Sequence, residues 1–252
     1  LVLHYQPQFD AFTGAVIGVE ALVRWRHPQR GLILPGEFIP VAEESGLIQA
    51  IGEWVVDEAC RQTRAWHDRG LRRVPVAVNL SAAELHRADT AGRIAGALQR
   101  NGLAARWLEL EITESALMRD IGRARLTLQV LHDMGVQIAL DDFGTGYSSL
   151  AHLRQFSLSA LKLDRSFVRD LETDVNDAAI CRAVIALGHT LGLRVIAEGV
   201  ETTGQLVFLR GNRCSAIQGA LFSPALPPEQ VAVLLQPDYV APVAPTLPVP
   251  LF

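Results

Sequence analysis

With 252 residues, 49% of them hydrophobic and 20% charged, the chain has enough apolar material to bury a substantial core, which excludes general disorder. A formal net charge of −4 argues against a protein that grips a nucleic-acid duplex, because such proteins carry a basic face. No run of 18 apolar residues is present, so no membrane span is expected. Cys60, Cys181 and Cys214 are too far apart for a disulfide framework or a zinc cluster, and they suit a reduced, cytoplasmic compartment. The chain opens LVLHYQPQFD, without Met or a signal-peptide pattern, and reads as a piece of a longer protein.

Short β-rich runs alternate with amphipathic stretches. In chain order, strands are expected near 2–7, 16–23, 75–80, 107–112, 136–141, 160–164, 193–198 and 214–218. Helices are expected over 49–69, where Gly70 stops the run, and over 88–101, 120–134, 174–191 and 202–210. Eight strands with intervening helices in this length predict an α/β fold, a modified TIM (β/α)8 barrel. Only DAFTG separates the first two strands, far too short for a parallel crossover, so the first strand is expected antiparallel to the second. The barrel is placed at residues 1–235. The tail PDYVAPVAPTLPVPLF, with five prolines, makes 236–252 a linker or loosely packed end.

In such barrels chemistry sits at the carboxyl ends of the strands, and there the unusual polar residues fall. VIGV runs into Glu20, VPVAV into Asn79, and WLELE ends in Glu111. IAL meets Asp141 and Asp142, LSALKLD carries Lys162 and Asp164, RVIA meets Glu198 with Glu201 following, and SAIQ ends in Gln218. One such break is only a strand meeting water; seven of them point to a common site. Carboxylates plus an amide carbonyl, with no Cys or evident His, make a hard-oxygen set suited to Mg²⁺ or Mn²⁺ rather than zinc. Acids so crowded repel one another unless cations compensate them.

The pair in IALDDFGTGYSSL (138–150) needs a further device, since adjacent strand residues face opposite ways. Both can serve one site if the backbone turns there, with Gly144 and Gly146 supplying the freedom. One aspartate can then bridge two ions while the other binds only the second, as in sites for in-line displacement at phosphorus. Lys162 beside them is placed to hold or deprotonate the attacking water, its pKa lowered by metal charge. The GTG of this loop is not a phosphate cradle, because no GxxxxGK[ST] follows.

EALVRW (20–25), VNLS (78–81), EITES (111–115), DDFGTGYSSL (141–150), KLDRSF (162–167), AEGVET (197–202) and QG (218–219), in this order, resemble the EAL-domain cyclic di-GMP phosphodiesterases across residues 1 to about 230. The resemblance implies Mg²⁺- or Mn²⁺-dependent hydrolysis of one phosphodiester bond of the cyclic dinucleotide, giving linear pGpG. It implies that Glu20, Asn79, Glu111 and Asp141 hold one ion and that Asp141, Asp142 and Glu198 hold the second. Lys162 then positions or activates the water, Glu201 supports the site, and Glu114 anchors the loop after the aspartate pair. Gln6, Arg24 and Gln218 match substrate-contacting positions, while Asp164 either organises the site or caps the SFVRDL turn. The resemblance also implies a homodimer, and an upstream sensory or GGDEF domain in the full-length protein, which such a domain can anchor to a membrane.

The chain departs from the family pattern at Arg213, Ser215 and Ala220, where a glycine, an acid and an aromatic are usual. These positions are expected to border the substrate mouth rather than the metals. Two other classes compete: a receptor that binds the dinucleotide without turnover, and a two-metal esterase for another phosphodiester. The intact Glu20, Glu111, Asp141, Asp142, Lys162 and Glu198 favour the phosphodiesterase.

Overall fold

The computed structural model describes residues 1–144, 153 and 155–242. Strands β1 (Val2–Asp10) and β2 (Val16–His27) form an antiparallel hairpin. Asp10 accepts hydrogen bonds from the Phe12 and Thr13 N–H groups, and Gly14 takes the left-handed conformation (φ 72°) that completes the tight connection. Then come β3 (Gly31–Ile33), α1 (Pro35–Glu44), α2 (Ile48–Asp68), β4 (Val76–Asn79), α3 (Ala82–Leu85), α4 (Thr90–Asn101), β5 (Leu108–Thr113), α5 (Glu114–Met118) and α6 (Ile121–Asp133). The rest comprises β6 (Gln137–Phe143), β7 (Ala160–Leu163), α7 (Arg165–Arg169), α8 (Val175–Leu191), β8 (Arg194–Ala197), α9 (Thr203–Gly211), β9 (Ala216–Ile217) and α10 (Pro228–Leu234).

The sheet order is β1-β9-β8-β7-β6-β5-β4-β2-β3, and pairing of β1 with β2 closes eight strands into a barrel. β1 is antiparallel to both neighbours, β2 and β9, and the other barrel pairs are parallel. The modified barrel expected from DAFTG is therefore the observed fold. Every expected strand and helix is present within a few residues. The sequence reading left 28–47 unassigned, and there the structure places β3, a three-residue edge paired only with β2, and α1, which tolerates Pro40 within it. A three-residue strand shows no periodicity, and an internal proline reads as a helix breaker.

The strands look continuously apolar because both faces are covered. Val76, Val78, Leu108, Leu110, Ile138, Leu140, Leu161, Leu163 and Val195 are buried in the main hydrophobic core, while Ala139, Ala160, Ile196 and Ala216 form a separate small cluster. Alternation assigns the second set to the barrel interior, where little room remains for large side chains. Polar groups lie at either end of that interior: the expected site at the carboxyl ends, and a Glu109–Arg194 ion pair of 2.5 Å at the opposite end. Beyond α10, Arg72 donates to the carbonyls of Pro237 and Tyr239, and the Ala241 N–H bonds Gly14. Among the described residues no helix is long and apolar enough to cross a membrane. The three cysteines are free and buried.

Candidate metal and phosphodiester site

The Asp141–Asp142 pair is accommodated by a break in the β6–β7 register between Leu140 and Phe143. The turn begins on the second aspartate itself: Asp142 has φ 53°, a left-handed conformation unusual for a residue with a side chain, and Gly144 follows at φ 100°. The Asp142 N–H bonds back to Asp141 Oδ1 at 2.9 Å. The freedom assigned to Gly144 thus comes after a distortion that the aspartate already carries; Gly146 lies outside the described residues. Asp141 is buried and Asp142 half-buried.

Lys162, 1% exposed, is the centre of the site. Its ammonium lies 2.7 Å from Glu111 Oε2, 2.7 Å from Glu198 Oε1, and 3.4 Å from both Glu20 Oε2 and Asp141 Oδ1. Those acids come from β5, the end of β8, β2 and β6. Glu20 also accepts from the Asn79 amide (2.9 Å) and the Gln218 amide (2.6 Å). Gln218 donates in turn to Gln6 Oε1 (3.2 Å), and Gln6 donates to the Ser223 carbonyl (3.2 Å). Nine of the predicted residues, Gln6, Glu20, Asn79, Glu111, Asp141, Asp142 (through its N–H), Lys162, Glu198 and Gln218, are thereby joined in one bonded network.

Charge in this network is unbalanced. Burial alone would strip the proton from Lys162, but Glu111, Glu20, Glu198 and Asp141 hold it on, well above the ordinary lysine value. The protein's own charges therefore act opposite to the lowering expected of metal charge, and Lys162 is a donor here. Burial and the Glu20 charge push Glu111 far up, and burial, partly offset by Lys162, brings Glu198 to about 7. Burial also disfavours the Glu20 anion, yet Lys162 and the amides of Gln218 and Asn79 outweigh it and keep Glu20 low. Asp142 is raised by burial and by Asp141.

The residues fit divalent ions by two observations. Four carboxylates face one ammonium, and Glu111 Oε1, fully buried, has no hydrogen-bond partner among the described residues. Among the described residues no three acid, His or Cys side chains are arranged to hold a metal ion as they stand, and the acids close on the lysine instead. The donor set is hard oxygen throughout, as Mg²⁺ and Mn²⁺ require.

Four predicted residues lie outside the network. Glu201 is exposed, and its N–H donates to Gln205 Oε1 at 2.7 Å. Asp164 accepts from the Ser166 N–H at 3.0 Å and caps α7. Arg24 is half-buried on β2, donates to the Val23 carbonyl at 2.9 Å, and shares a face with Glu20 two and four residues along. Glu114 opens α5, buried, with both carboxylate oxygens lacking a partner among the described residues; most of the loop it was expected to anchor lies outside them. A cavity of about 960 Å³ opens beside Asn79, between Leu22, Ile39, Ser81 and Thr113. That is at the upper end of the volumes of small-molecule sites.

The three departures divide. Ala220 is exposed just past Gln218, at the mouth. Arg213 and Ser215 precede β9 at the opposite end of the barrel, where the Ser215 carbonyl bonds the Ala11 N–H beyond β1. The expectation that they border the mouth is corrected, because a parallel strand separates its two ends. Arg213 has φ 63°, which explains why a glycine is usual there. Sequence reasoning missed Gln205, buried under the loop after β8; the T-x-x-Q spacing of a capping box was its available signal.

A barrel that gathers acids and amides from its strand ends around one lysine defines a class, and the EAL domain model matches residues 1–225. The chain belongs to the EAL domain family. It is 52% identical over 231 residues, 92% of its length, to the bifunctional diguanylate cyclase/cyclic di-GMP phosphodiesterase MucR of Pseudomonas aeruginosa. It is 50% identical over 227 residues, 90% of its length, to the cyclic di-GMP phosphodiesterase NbdA of the same organism. It spans 34% and 29% of those relatives. Among solved structures it superposes on the PaMucR phosphodiesterase in its c-di-GMP complex with a TM-score of 0.89 at 51% identity, covering 91% of this chain and 93% of that one. The EAL enzyme Bd1971, in a form with cAMP and cyclic di-GMP bound, gives 0.88 at 31% identity, covering 93% of this chain and 64% of that one.

Proposed function

We propose that the chain is a cyclic di-GMP-specific phosphodiesterase that opens one phosphodiester bond to give linear pGpG with Mg²⁺ or Mn²⁺. The observation that carries this reading is the Lys162 ammonium among four carboxylates from four strand ends, in a chain half identical to relatives named for that reaction. Glu20, Asn79, Glu111 and Asp141 would hold one ion, and Asp141, Asp142 and Glu198 the second. Such ions neutralise the phosphate and lower the pKa of bound water. Lys162, held protonated and central, donates a hydrogen bond that orients the attacking water. Arg24 pairs with a phosphate oxygen at the rim. The Gln6–Gln218–Glu20 chain fixes the floor against which the dinucleotide lies, and Asp164 sets the start of α7 beside it. Glu201 supports the site from the β8 loop, and Glu114 anchors the loop after the aspartate pair.

The same reading takes the active species as a homodimer in the cytoplasm, joined in the full-length protein to sensory or GGDEF domains. It takes the barrel as residues 1–235 and the remainder as its tail. Incubation with cyclic di-GMP, with and without Mg²⁺ or Mn²⁺, followed by product separation, tests it. pGpG forming only with the ion is the expected result. Binding without pGpG under both ions would leave a receptor, and equal cleavage of other cyclic dinucleotides would leave a general esterase.

A further inference from the structure

The loop after β8 carries Glu198 and Glu201, and it is fixed on three sides. On the β9 side the Val200 N–H donates to the Gln218 carbonyl (3.1 Å), and a Cβ on Gly219 would meet the Val200 backbone at 2.1 Å. On the α7 side Gly199, at φ +66°, leaves a Cβ only 2.6 Å from Arg165 Cβ. The third side is one buried side chain, Gln205 of α9. Its Oε1 accepts the N–H of Glu201 (2.7 Å) and of Thr202 (3.0 Å), and its Nε2 donates to the Arg169 carbonyl (3.2 Å). Thr202 donates to Glu172 Oε2 at 2.6 Å, and a Cβ on Gly204 would overlap that carboxylate at 1.7 Å. Two accepted N–H groups and one donated bond at this reach suit a glutamine: glutamate lacks the donor, and asparagine is a carbon shorter.

We infer that Gln205, with Glu172, is a positioning residue that clamps the β8 loop to α7 and so presents Glu198 to the carboxylate cluster and its divalent ions. The inference rests on the metal-dependent reading above. A helix cap alone would change stability and leave ion affinity untouched, so the two roles separate by measurement.

Mn²⁺ binding to the full chain, read from the electron spin resonance of the free ion, is compared for wild type, Gln205→Met and Glu172→Ala, beside their thermal unfolding. Gln205→Met keeps the packing volume and removes the hydrogen bonds. It should raise the Mn²⁺ Kd roughly 10–100-fold, the range for residues that orient metal ligands, while KM for cyclic di-GMP stays near wild type. Glu172 is exposed, so Glu172→Ala should fold normally, and a rise of about threefold is expected within the same logic. Wild-type affinity in both variants would overturn the clamp and leave the metal reading standing. A wild-type chain that takes up no Mn²⁺ would overturn the metal reading itself, and the clamp with it.

Discussion

The two ends of the barrel interior both bury charge, and they do so differently. At the amino ends of the strands Glu109, 1% exposed, meets Arg194 one to one. At the carboxyl ends four acids meet one lysine, and Glu111 keeps an oxygen without a hydrogen-bond partner among the described residues. The pair is balanced in charge, although Arg194 Nε also lacks a hydrogen-bond partner among the described residues. An unbalanced cluster stores repulsion that bound protons or added cations relieve, which is how a structural ion pair is told from a binding site within one fold.

This contrast can be broken by substitution. The largest effect is expected at the acids: Glu20→Ala or Asp141→Ala should abolish turnover, measured as pGpG formation, while circular dichroism shows the barrel intact. Near-normal hydrolysis would contradict their role. Lys162→Ala should spare Mn²⁺ binding and lower kcat by something like 10²–10⁴-fold; an unchanged kcat would remove the lysine from the chemistry. At the other end Arg194→Ala strands Glu109 without its partner. Unfolding should become easier by about 3 kcal/mol, the low side of the range for a broken buried pair because Arg194 is a quarter exposed. The folded fraction should keep its KM and kcat.

The same imbalance predicts a pH dependence. Glu198 sits at about 7 in the folded protein against an ordinary 4.5, and Glu111, Asp142 and Glu109 are raised too. Between those values the folded chain binds more protons than the unfolded one. Their contribution is therefore complete below about 4.5 and is lost as pH rises through 7. In chelator, Tm should fall over that window, and Mn²⁺ should restore it; a Tm that rises would refute the charge assignment. The smallest effect belongs to Arg213→Gly, which relieves a left-handed residue at φ 63° and should stabilise by up to about 1 kcal/mol. Calorimetry that shows a loss would mean the arginine side chain earns more than its backbone costs.

The barrel was legible because its rules are local: a five-residue link forbids a parallel neighbour, and polar residues close each apolar run. The convergence of Glu20, Asn79, Glu111, Asp141, Lys162, Glu198 and Gln218 follows from those strand ends. What one dimension hides is direction and pairing. Asp164 and Glu201 sit at the right sequence positions, yet one caps a helix and the other points to solvent. Arg213 and Ser215 lie close to Gln218 in sequence but a strand's length from the mouth. Glu109 and Arg194 are 85 residues apart, on strands that do not pair, and meet only because the barrel closes.

The account stands on divalent ions filling the acid-rich end. Counting Mn²⁺ per chain at equilibrium tests this most directly. Two ions on the wild type, and loss of tight uptake in Asp141→Ala, where one side chain would serve both, are predicted. A wild-type chain that binds none, or an Asp141→Ala chain that binds as the wild type does, would contradict it.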